Sequence, residues 1–197
     1  MTSNNNYHDL NKTKYIEGFT QQIPGQCSAL NKILDEYNIK NVMEIGFNAG
    51  HSADLFLKHP KNIELWSFDI GQHQSVKSGK TFIDNTYPAR HRLILGNSLT
   101  TIPDFINNNI IKFDLIFIDG GHDYNVSKND LLNCKNLAHS NTIVIMDDTV
   151  IRKEWVQHWN IGPMRAWDEA KKDNMVKEIS CEEYSSGRGQ SWGKYIL

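Results

Sequence analysis

The feature that most constrains the fold is a regular alternation of short apolar runs with helix-like stretches. The strand-like runs, rich in β-branched and aromatic residues, cover 41–45, 63–69, 91–95, 113–118 and 142–146. Helical stretches separate them, near 50–58, 74–86, 98–108 and 124–138. Strands separated by helices predict right-handed crossovers, and therefore an α/β fold with a mostly parallel sheet and helices on both faces.

The C-terminal part departs from this alternation. One predicted helix, near 163–173, is followed by two strand-like runs at 175–181 and 191–196 with no helix between them. Two adjacent strands predict an antiparallel hairpin added to the sheet. The sequence therefore predicts seven strands within a single domain over 26–197.

The N-terminal part is polar and rich in asparagine. Apolar residues at helical spacing begin only with a predicted amphipathic helix over 26–38. We expect residues 1–25 to be partly disordered or to lie beside a substrate.

Composition narrows the class of protein. Lys and Arg number 21 against 23 Asp and Glu, so the formal net charge is −2 and gives no basic surface for nucleic acid. No apolar run approaches the roughly 18 residues that span a bilayer, and the first residues lack the pattern of a signal peptide. Cys27, Cys134 and Cys181 are odd in number and far apart, which argues against a zinc knuckle or a disulfide framework. We expect a cytoplasmic protein with no nucleic-acid or membrane partner, and homo-oligomerisation is open.

The first predicted strand ends in Glu44-Ile-Gly46, and a second glycine, Gly50, precedes the next predicted helix. Ligands bind at the carboxyl ends of strands in open α/β sheets, and glycines let a ligand approach the backbone N–H groups closely. Two glycines four residues apart do not make the three-glycine dinucleotide fingerprint. A plain tight turn is the alternative interpretation.

The next two strands also end in polar residues. Asp69 is placed to accept hydrogen bonds from ribose hydroxyls, although an ordinary strand-end acid or a helix cap would look the same. Asn97 and Ser98 follow the third strand, where Asn97 could contact an adenine edge or, equally, cap the following helix.

Carboxylates are concentrated after the fourth and fifth strands. Asp119 ends one strand, His122 follows three residues later, and Asp147-Asp148 end the neighbouring strand. Three carboxylates at one sheet edge repel each other unless a positive charge lies between them, and Mg²⁺ prefers oxygen ligands of this kind. The alternative is that the two adjacent aspartates only cap a turn.

An aromatic segment over 151–167 follows these carboxylates directly. Because aromatic rings stack on sugar faces and arginine binds anions, we expect the segment to shape an acceptor pocket or a lid, or else to be an amphipathic helix that buries its tryptophans. Arg188 is interpreted as an ordinary hairpin residue. The remaining histidines are expected at the surface or in loops: His51, His59, His73, His91, His139 and His158.

Taken in order, these motifs over about 26–150 resemble the class I S-adenosylmethionine-dependent methyltransferases, which have a Rossmann-like sheet. The run Asp-Gly-Gly-His-Asp-Tyr and the later Asp-Asp are most similar to the metal-dependent macrolide-sugar O-methyltransferases of the macrocin and mycinamicin type. Catechol O-methyltransferase has a similar set of three metal ligands, with an amide in place of the third carboxylate. The resemblance implies S-adenosylmethionine as cofactor and a divalent metal ion, Mg²⁺ in the first instance.

The resemblance also implies residue roles. It assigns the cofactor to Glu44, Gly46, Phe47, Asn48, Gly50, Ser52, Asp69, Asn97, Ser98 and Asp119. It assigns the metal ion to Asp119, Asp147 and Asp148, and catalysis to Asp119 and to His122 as the base. Many relatives have Gly-Asp where this chain has Gly96-Asn97. The expected acceptor contacts are Tyr124, Arg152, Trp155 and Trp159.

The expected function is metal-assisted methyl transfer to a hydroxyl of a small acceptor, a sugar or nucleotide sugar being favoured over a catechol-like molecule. A sugar hydroxyl is protonated at neutral pH, so a metal ion that lowers its pKa and an imidazole that takes its proton would both be needed. An NAD-dependent oxidoreductase and a non-catalytic cofactor-binding module are the alternatives from other classes. The missing third glycine and an otherwise idle carboxylate group argue against the oxidoreductase. The presence of Asp119, His122, Asp147 and Asp148 together argues against the binding module.

Overall fold

The computed structural model describes residues 20–197 of the chain. Its α-helices are α1 (Pro24–Glu36), α2 (His51–Lys58), α3 (Ser75–Thr86), α4 (Ser98–Asn108), α5 (Tyr124–Lys135) and α6 (Ile161–Lys172). Its strands are β1 (Asn41–Ile45), β2 (Glu64–Asp69), β3 (His91–Leu95), β4 (Phe113–Ile118), β5 (Ala138–Asp147), β6 (Val176–Ser185) and β7 (Arg188–Tyr195). Short 3₁₀ turns lie at Thr20–Gln22, Lys153–Trp155 and His158–Asn160.

The seven strands form one sheet in the order β3-β2-β1-β4-β5-β7-β6. Neighbouring strands from β3 to β5 are parallel, and β7 is antiparallel to both β5 and β6. The predicted fold class, a mostly parallel seven-stranded sheet with a C-terminal antiparallel hairpin, is confirmed. The strand order reverses between β1 and β4, and this switch point is where α/β sheets of this kind bind ligands.

Helices cover both faces, because β4 sends alternate apolar side chains to opposite sides. Leu115 and Phe117 pack under α1, α2 and α3, whereas Ile116 and Ile118 pack under α4, α5 and α6. Both layers are buried hydrophobic clusters, as expected of a doubly covered sheet. Among residues 20–197, no helix is long and apolar enough to cross a membrane.

Several boundaries differ from the sequence prediction. Strand β5 begins at Ala138 instead of residue 142, and its register against β4 is irregular near its start, where the exposed residues are polar. Strands β6 and β7 are longer than predicted and meet in a tight turn. Their outward-facing polar residues hide the strand pattern in the sequence.

The N-terminal prediction falls largely on residues 1–19, which lie outside the described residues. The remainder of the predicted segment contains the turn Thr20–Gln22 and the first residues of α1, which begins at Pro24 instead of residue 26. Proline is favourable there, because the first turn of a helix has no use for its missing N–H.

Candidate active site

A cavity of about 710 Å³ lies at the carboxyl ends of the parallel strands. Its walls come from the loops that follow β1, β2, β3 and β4, together with the loop after β5 and the first residue of β7. The cavity therefore lies at the switch point of the sheet, where a ligand is expected.

The loop after β1 lines this cavity and packs closely against the backbone of Asp119. Gly46 has φ +96°, and a β-carbon built on it would lie 1.8 Å from the backbone oxygen of Asp119. Gly50 has φ +80°, and its β-carbon would touch the Phe47 ring. Both positions require glycine. Gly46, Phe47 and Asn48 line the cavity, whereas Gly50 lies behind Phe47, and the cofactor contact predicted for Gly50 stays a prediction.

Asp69 fixes the shape of this loop. One of its carboxylate oxygens accepts the N–H groups of Phe47 at 2.9 Å and Asn48 at 2.8 Å. The other accepts the N–H of Gly71 at 2.7 Å. A carboxylate has about four acceptor sites, so Asp69, which lines the cavity, retains capacity for a ligand hydroxyl.

Glu44 lies below the cavity instead of on its wall. Its side chain is fully buried, and its two oxygens accept the hydroxyl groups of Ser52 at 2.7 Å and Ser67 at 2.5 Å. Burial raises the pKa of Glu44 to about 7, although the two serine hydroxyls offset part of the rise. Glu44 therefore does not line the cavity, whereas Ser52 does, and the cofactor contact predicted for Glu44 stays a prediction.

Asn97 and Ser98 line the cavity at the end of β3. The side-chain oxygen of Asn97 accepts the N–H of Leu99 at 3.0 Å and so caps α4. The capping interpretation of Asn97 is confirmed, and an adenine contact by its amide group stays a prediction.

An acidic group and an imidazole meet on the opposite wall. Ligand atoms of Asp119, His122 and Asp148 all lie within 4.8 Å of one another. The Nε2 atom of His122 is 2.8 Å from the Oδ2 atom of Asp148. Burial, together with the negative charges of Asp147 and Asp148, raises the pKa of Asp119 well above its usual range.

Asp147 lies outside this group, although the sequence prediction placed it there with Asp119 and Asp148. Its Oδ2 atom accepts the side-chain amide of Gln26 from α1 at 2.8 Å. Burial and the neighbouring Asp148 raise its pKa to about 7. His122 belongs to the group in its place. Asp148 adopts a left-handed conformation with φ +56°, and it is Asp148, of the two adjacent acids, that lines the cavity.

Arg188, interpreted from the sequence as an ordinary hairpin residue, begins β7 beside the hairpin turn and also lines the cavity. Its Nη1 atom is 3.5 Å from the Oδ1 atom of Asp148. The side-chain amide of Asn160 donates to the carbonyls of Asp148 at 2.7 Å and Gly187 at 3.1 Å, which joins the loop after β5 to the β6–β7 turn. No local pattern in the sequence indicates this placement, because it follows from the pairing of β7 with β5.

A family model described as "Methyltransferase domain" matches residues 43–149, which is more than half of the chain. The chain belongs to this methyltransferase family. A curated relative, the O-methyltransferase ankF of Aspergillus thermomutatus, is 22% identical over 139 residues, or 70% of this chain. The aligned part spans 57% of the length of that relative.

Solved structures share the fold of the methyltransferase at low identity. The O-methyltransferase TomG of Streptomyces achromogenes, in complex with SAM, has a TM-score of 0.74 at 13% identity, covering 97% of this chain and 86% of that one. A putative caffeoyl-CoA O-methyltransferase from Staphylococcus aureus has a TM-score of 0.72 at 16% identity, covering 96% and 88%. An O-methyltransferase of Bacillus cereus in complex with SAH has a TM-score of 0.70 at 15% identity, covering 96% of both chains. The predicted resemblance to class I methyltransferases is confirmed.

Among the residues predicted to contact the acceptor, Trp159 lines the cavity, and its indole N–H donates to the carbonyl of Gly187 at 3.1 Å. Its contact with an acceptor stays a prediction. Arg152 and Trp155 do not line it: the guanidinium of Arg152 stacks on the Trp155 ring at 4.2 Å and pairs with Glu183 at 3.3 Å.

Tyr124 also lies away from the cavity. Its hydroxyl donates to Glu169, and Arg165 stacks on its ring at 3.8 Å. Tyr124, Arg152 and Trp155 therefore do not line this cavity, and the acceptor contacts predicted for them stay predictions. Trp167, in contrast, is buried in the core on α6, as the alternative interpretation of the aromatic segment had it.

Two histidines expected at the surface are buried. His51 begins α2 and lines the cavity, and burial lowers its pKa. His91 stacks on Phe47 with ring centroids 5.0 Å apart and lies 2.9 Å from the hydroxyl of Ser67. Burial lowers the pKa of His91 to about 4, so it supports the loop after β1 as a neutral ring. His73 and His158 are exposed at the cavity rim.

Proposed function

We propose that this protein is an S-adenosylmethionine-dependent O-methyltransferase that acts on a hydroxyl of a small acceptor. The observation that carries the proposal is that His122, held 2.8 Å from Asp148, faces the same cavity as the glycine loop of β1 and Asp69. Groups suited to hold a nucleoside and groups suited to remove a proton thus share one space.

The cofactor half of the cavity is assigned to the loops after β1, β2 and β3. The backbone of Gly46 to Asn48 and the hydroxyl of Ser52 would hold the methionine part, and Asp69 the ribose. The amide of Asn97 and the hydroxyl of Ser98 would lie beside the adenine. This assignment puts the sulfonium group between the glycine loop and the acidic wall, which is formed by Asp119 and Asp148 with His122 beside them.

The acidic wall fits a divalent cation. Asp119 and Asp148 offer carboxylate oxygens, the ligands that Mg²⁺ and Mn²⁺ prefer. Asp147 would add its negative charge from behind. When bound, the ion would lower the pKa of the acceptor hydroxyl.

His122 would remove the proton from the acceptor hydroxyl. Asp148, on the other side of the ring, would stabilise the resulting imidazolium. The acceptor oxygen then bonds to the methyl carbon as the carbon–sulfur bond breaks, and the electron pair stays on sulfur, which becomes a neutral thioether. Because the sulfonium methyl is already activated, the main task of the protein is to align oxygen, carbon and sulfur.

A sugar or nucleotide sugar is the favoured acceptor class, supported by the indole of Trp159 at the cavity wall. A catechol-like acceptor is the alternative, because an indole also stacks on arenes and one structural relative is named a caffeoyl-CoA O-methyltransferase. The free cysteines support a cytoplasmic location. The single domain over 26–197 and homo-oligomerisation are further proposals.

The decisive experiment is methyl transfer from methyl-labelled S-adenosylmethionine to a panel of nucleotide sugars and catechols, with and without a chelator. We expect transfer that stops on chelation and returns with Mg²⁺. Asp148→Asn should abolish transfer and leave cofactor affinity nearly unchanged, whereas the exposed Asp104→Asn should change neither. Calorimetric binding of NAD in preference to S-adenosylmethionine would overturn the proposal.

A further inference from the structure

A fixed positive charge already lies among the carboxylates of the acidic wall. The guanidinium of Arg188 is 3.5 Å from the carboxylate of Asp148, whose side chain is only 4% exposed. The opposite oxygen of the same carboxylate faces His122. Asp148 is therefore bracketed by two basic side chains in the same place where a cation would have to bind.

The protein backbone holds Arg188 in this position. Arg188 is the first residue of β7 and follows Gly187, whose φ is +71°. The side chain of Asn160 bridges the carbonyls of Asp148 and Gly187, so the turn that carries the arginine and the turn that carries the aspartate are tied together. The guanidinium also lies 5.8 Å from the centre of the Trp159 ring.

The charge of Arg188 reaches more than one carboxylate. Ligand atoms of Asp119 and Asp148 lie within 4.8 Å of one another, so the guanidinium beside Asp148 also lies near the Asp119 carboxylate. Arg188 therefore supplies part of the positive charge that the sequence analysis expected from a metal ion alone. A divalent cation that approaches the wall meets this charge as well as the carboxylates.

We propose that Arg188 and a divalent metal ion are alternative partners of the Asp148 carboxylate. The arginine thereby lowers the affinity of the acidic wall for the ion. Binding of the ion then requires the guanidinium to leave Asp148. This inference rests on the metal group of the proposed function, and it does not depend on methyl transfer.

The test measures Mn²⁺ binding directly, by the electron paramagnetic resonance signal of free Mn²⁺, without cofactor or acceptor. Arg188→Met removes the charge and retains a long side chain, and we expect it to bind Mn²⁺ about tenfold more tightly or better than the unsubstituted protein. Arg188→Lys retains the charge and should bind within about threefold of the unsubstituted protein. Arg152→Met is the matched control, because Arg152 pairs with Glu183 outside the cavity, and it should change nothing.

Equal Mn²⁺ affinity in Arg188→Met and the unsubstituted protein would overturn the inference, as would equal tightening in Arg152→Met. Circular dichroism checks that the variants fold, and Arg188→Gln replaces the methionine variant if that one does not. A second readout is the fluorescence of Trp159: Mg²⁺ should change its emission as Arg188 moves away, and Trp159→Phe should remove that change. Arginine-dependent Mn²⁺ binding in a protein that methylates no acceptor would refute the proposed function and leave this inference standing.

Discussion

The imidazole Nε2 atom of His122 lies 2.8 Å from the Oδ2 atom of Asp148, and both side chains line the cavity. A carboxylate in that position orients the ring and stabilises its protonated form, which suits a general base. We expect His122→Ala to lower kcat by about 100-fold or more and to leave the dissociation constant of S-adenosylmethionine unchanged. Activity of the variant should recover in part at high pH, where hydroxide takes the proton.

The matched control for this prediction is His139→Ala. His139 also faces an aspartate, with Nε2 3.0 Å from Asp114, but it lies at the other end of the sheet, near the start of β5. Its loss should leave kcat unchanged. A wild-type kcat for His122→Ala would exclude His122 as the base.

Glu44 gives a prediction about pH and stability. Its pKa of about 7 in the folded protein, raised by burial, exceeds the ordinary value of 4.5, so the folded state binds more protons between those two pH values. Glu44 therefore makes stability fall as the pH rises through that window. We expect Glu44→Gln to raise Tm at pH 8, where ionised Glu44 costs roughly 3 kcal/mol at most, and to have little effect at pH 4.5.

Thermal unfolding at pH 4.5, 6 and 8 tests this expectation. Glu154→Gln is the control, because Glu154 is exposed and its removal should give the same small effect at each pH. A Glu44→Gln variant whose Tm difference from the unsubstituted protein does not grow with pH would contradict the prediction.

The sequence predicts the fold and one wall of the site, because both depend on strand ends. In a parallel sheet, residues that end neighbouring strands meet at one edge, so Asp69, Asp119 and Asp148 could be located from hydrophobic patterning alone. The helices and strands of the regular part match their predicted positions closely, because their apolar residues are buried on both faces of the sheet.

The sequence does not predict which of two adjacent acids faces the cavity. That choice depends on the left-handed φ of Asp148, and on the Gln26 side chain that binds Asp147. Arg188 could not be located either, because it reaches the site through antiparallel pairing of β7 with β5. The sequence predicts Arg152 as an acceptor contact, yet its guanidinium pairs with Glu183, and only the folded hairpin creates this contact.

Trp159 is the aromatic residue whose loss should change acceptor binding. It lines the cavity, so Trp159→Ala should raise the KM for the acceptor about tenfold, the loss of one good stacking contact, with cofactor affinity unchanged. Trp159→Phe should lie close to the unsubstituted protein, because it retains an aromatic face. Trp155→Ala is the control, since Trp155 stacks on Arg152 outside the cavity, and an equal rise in KM there would contradict the assignment.

Gly46 and Gly71 provide a final comparison between two glycines with positive φ. Alanine at Gly46 would place a methyl group 1.8 Å from the backbone oxygen of Asp119, which cannot move without separating the ends of β1 and β4. At Gly71, with φ +78°, the nearest atom to such a methyl group is a Leu95 methyl at 3.5 Å, so only the backbone strain of about 1 kcal/mol applies. We therefore expect Gly46→Ala to lose binding of S-adenosylmethionine and several degrees of Tm, and Gly71→Ala to retain binding with a small loss of Tm. Calorimetry and thermal unfolding measure both effects, and normal cofactor affinity in a folded Gly46→Ala variant would show that the loop after β1 is not part of the cofactor site.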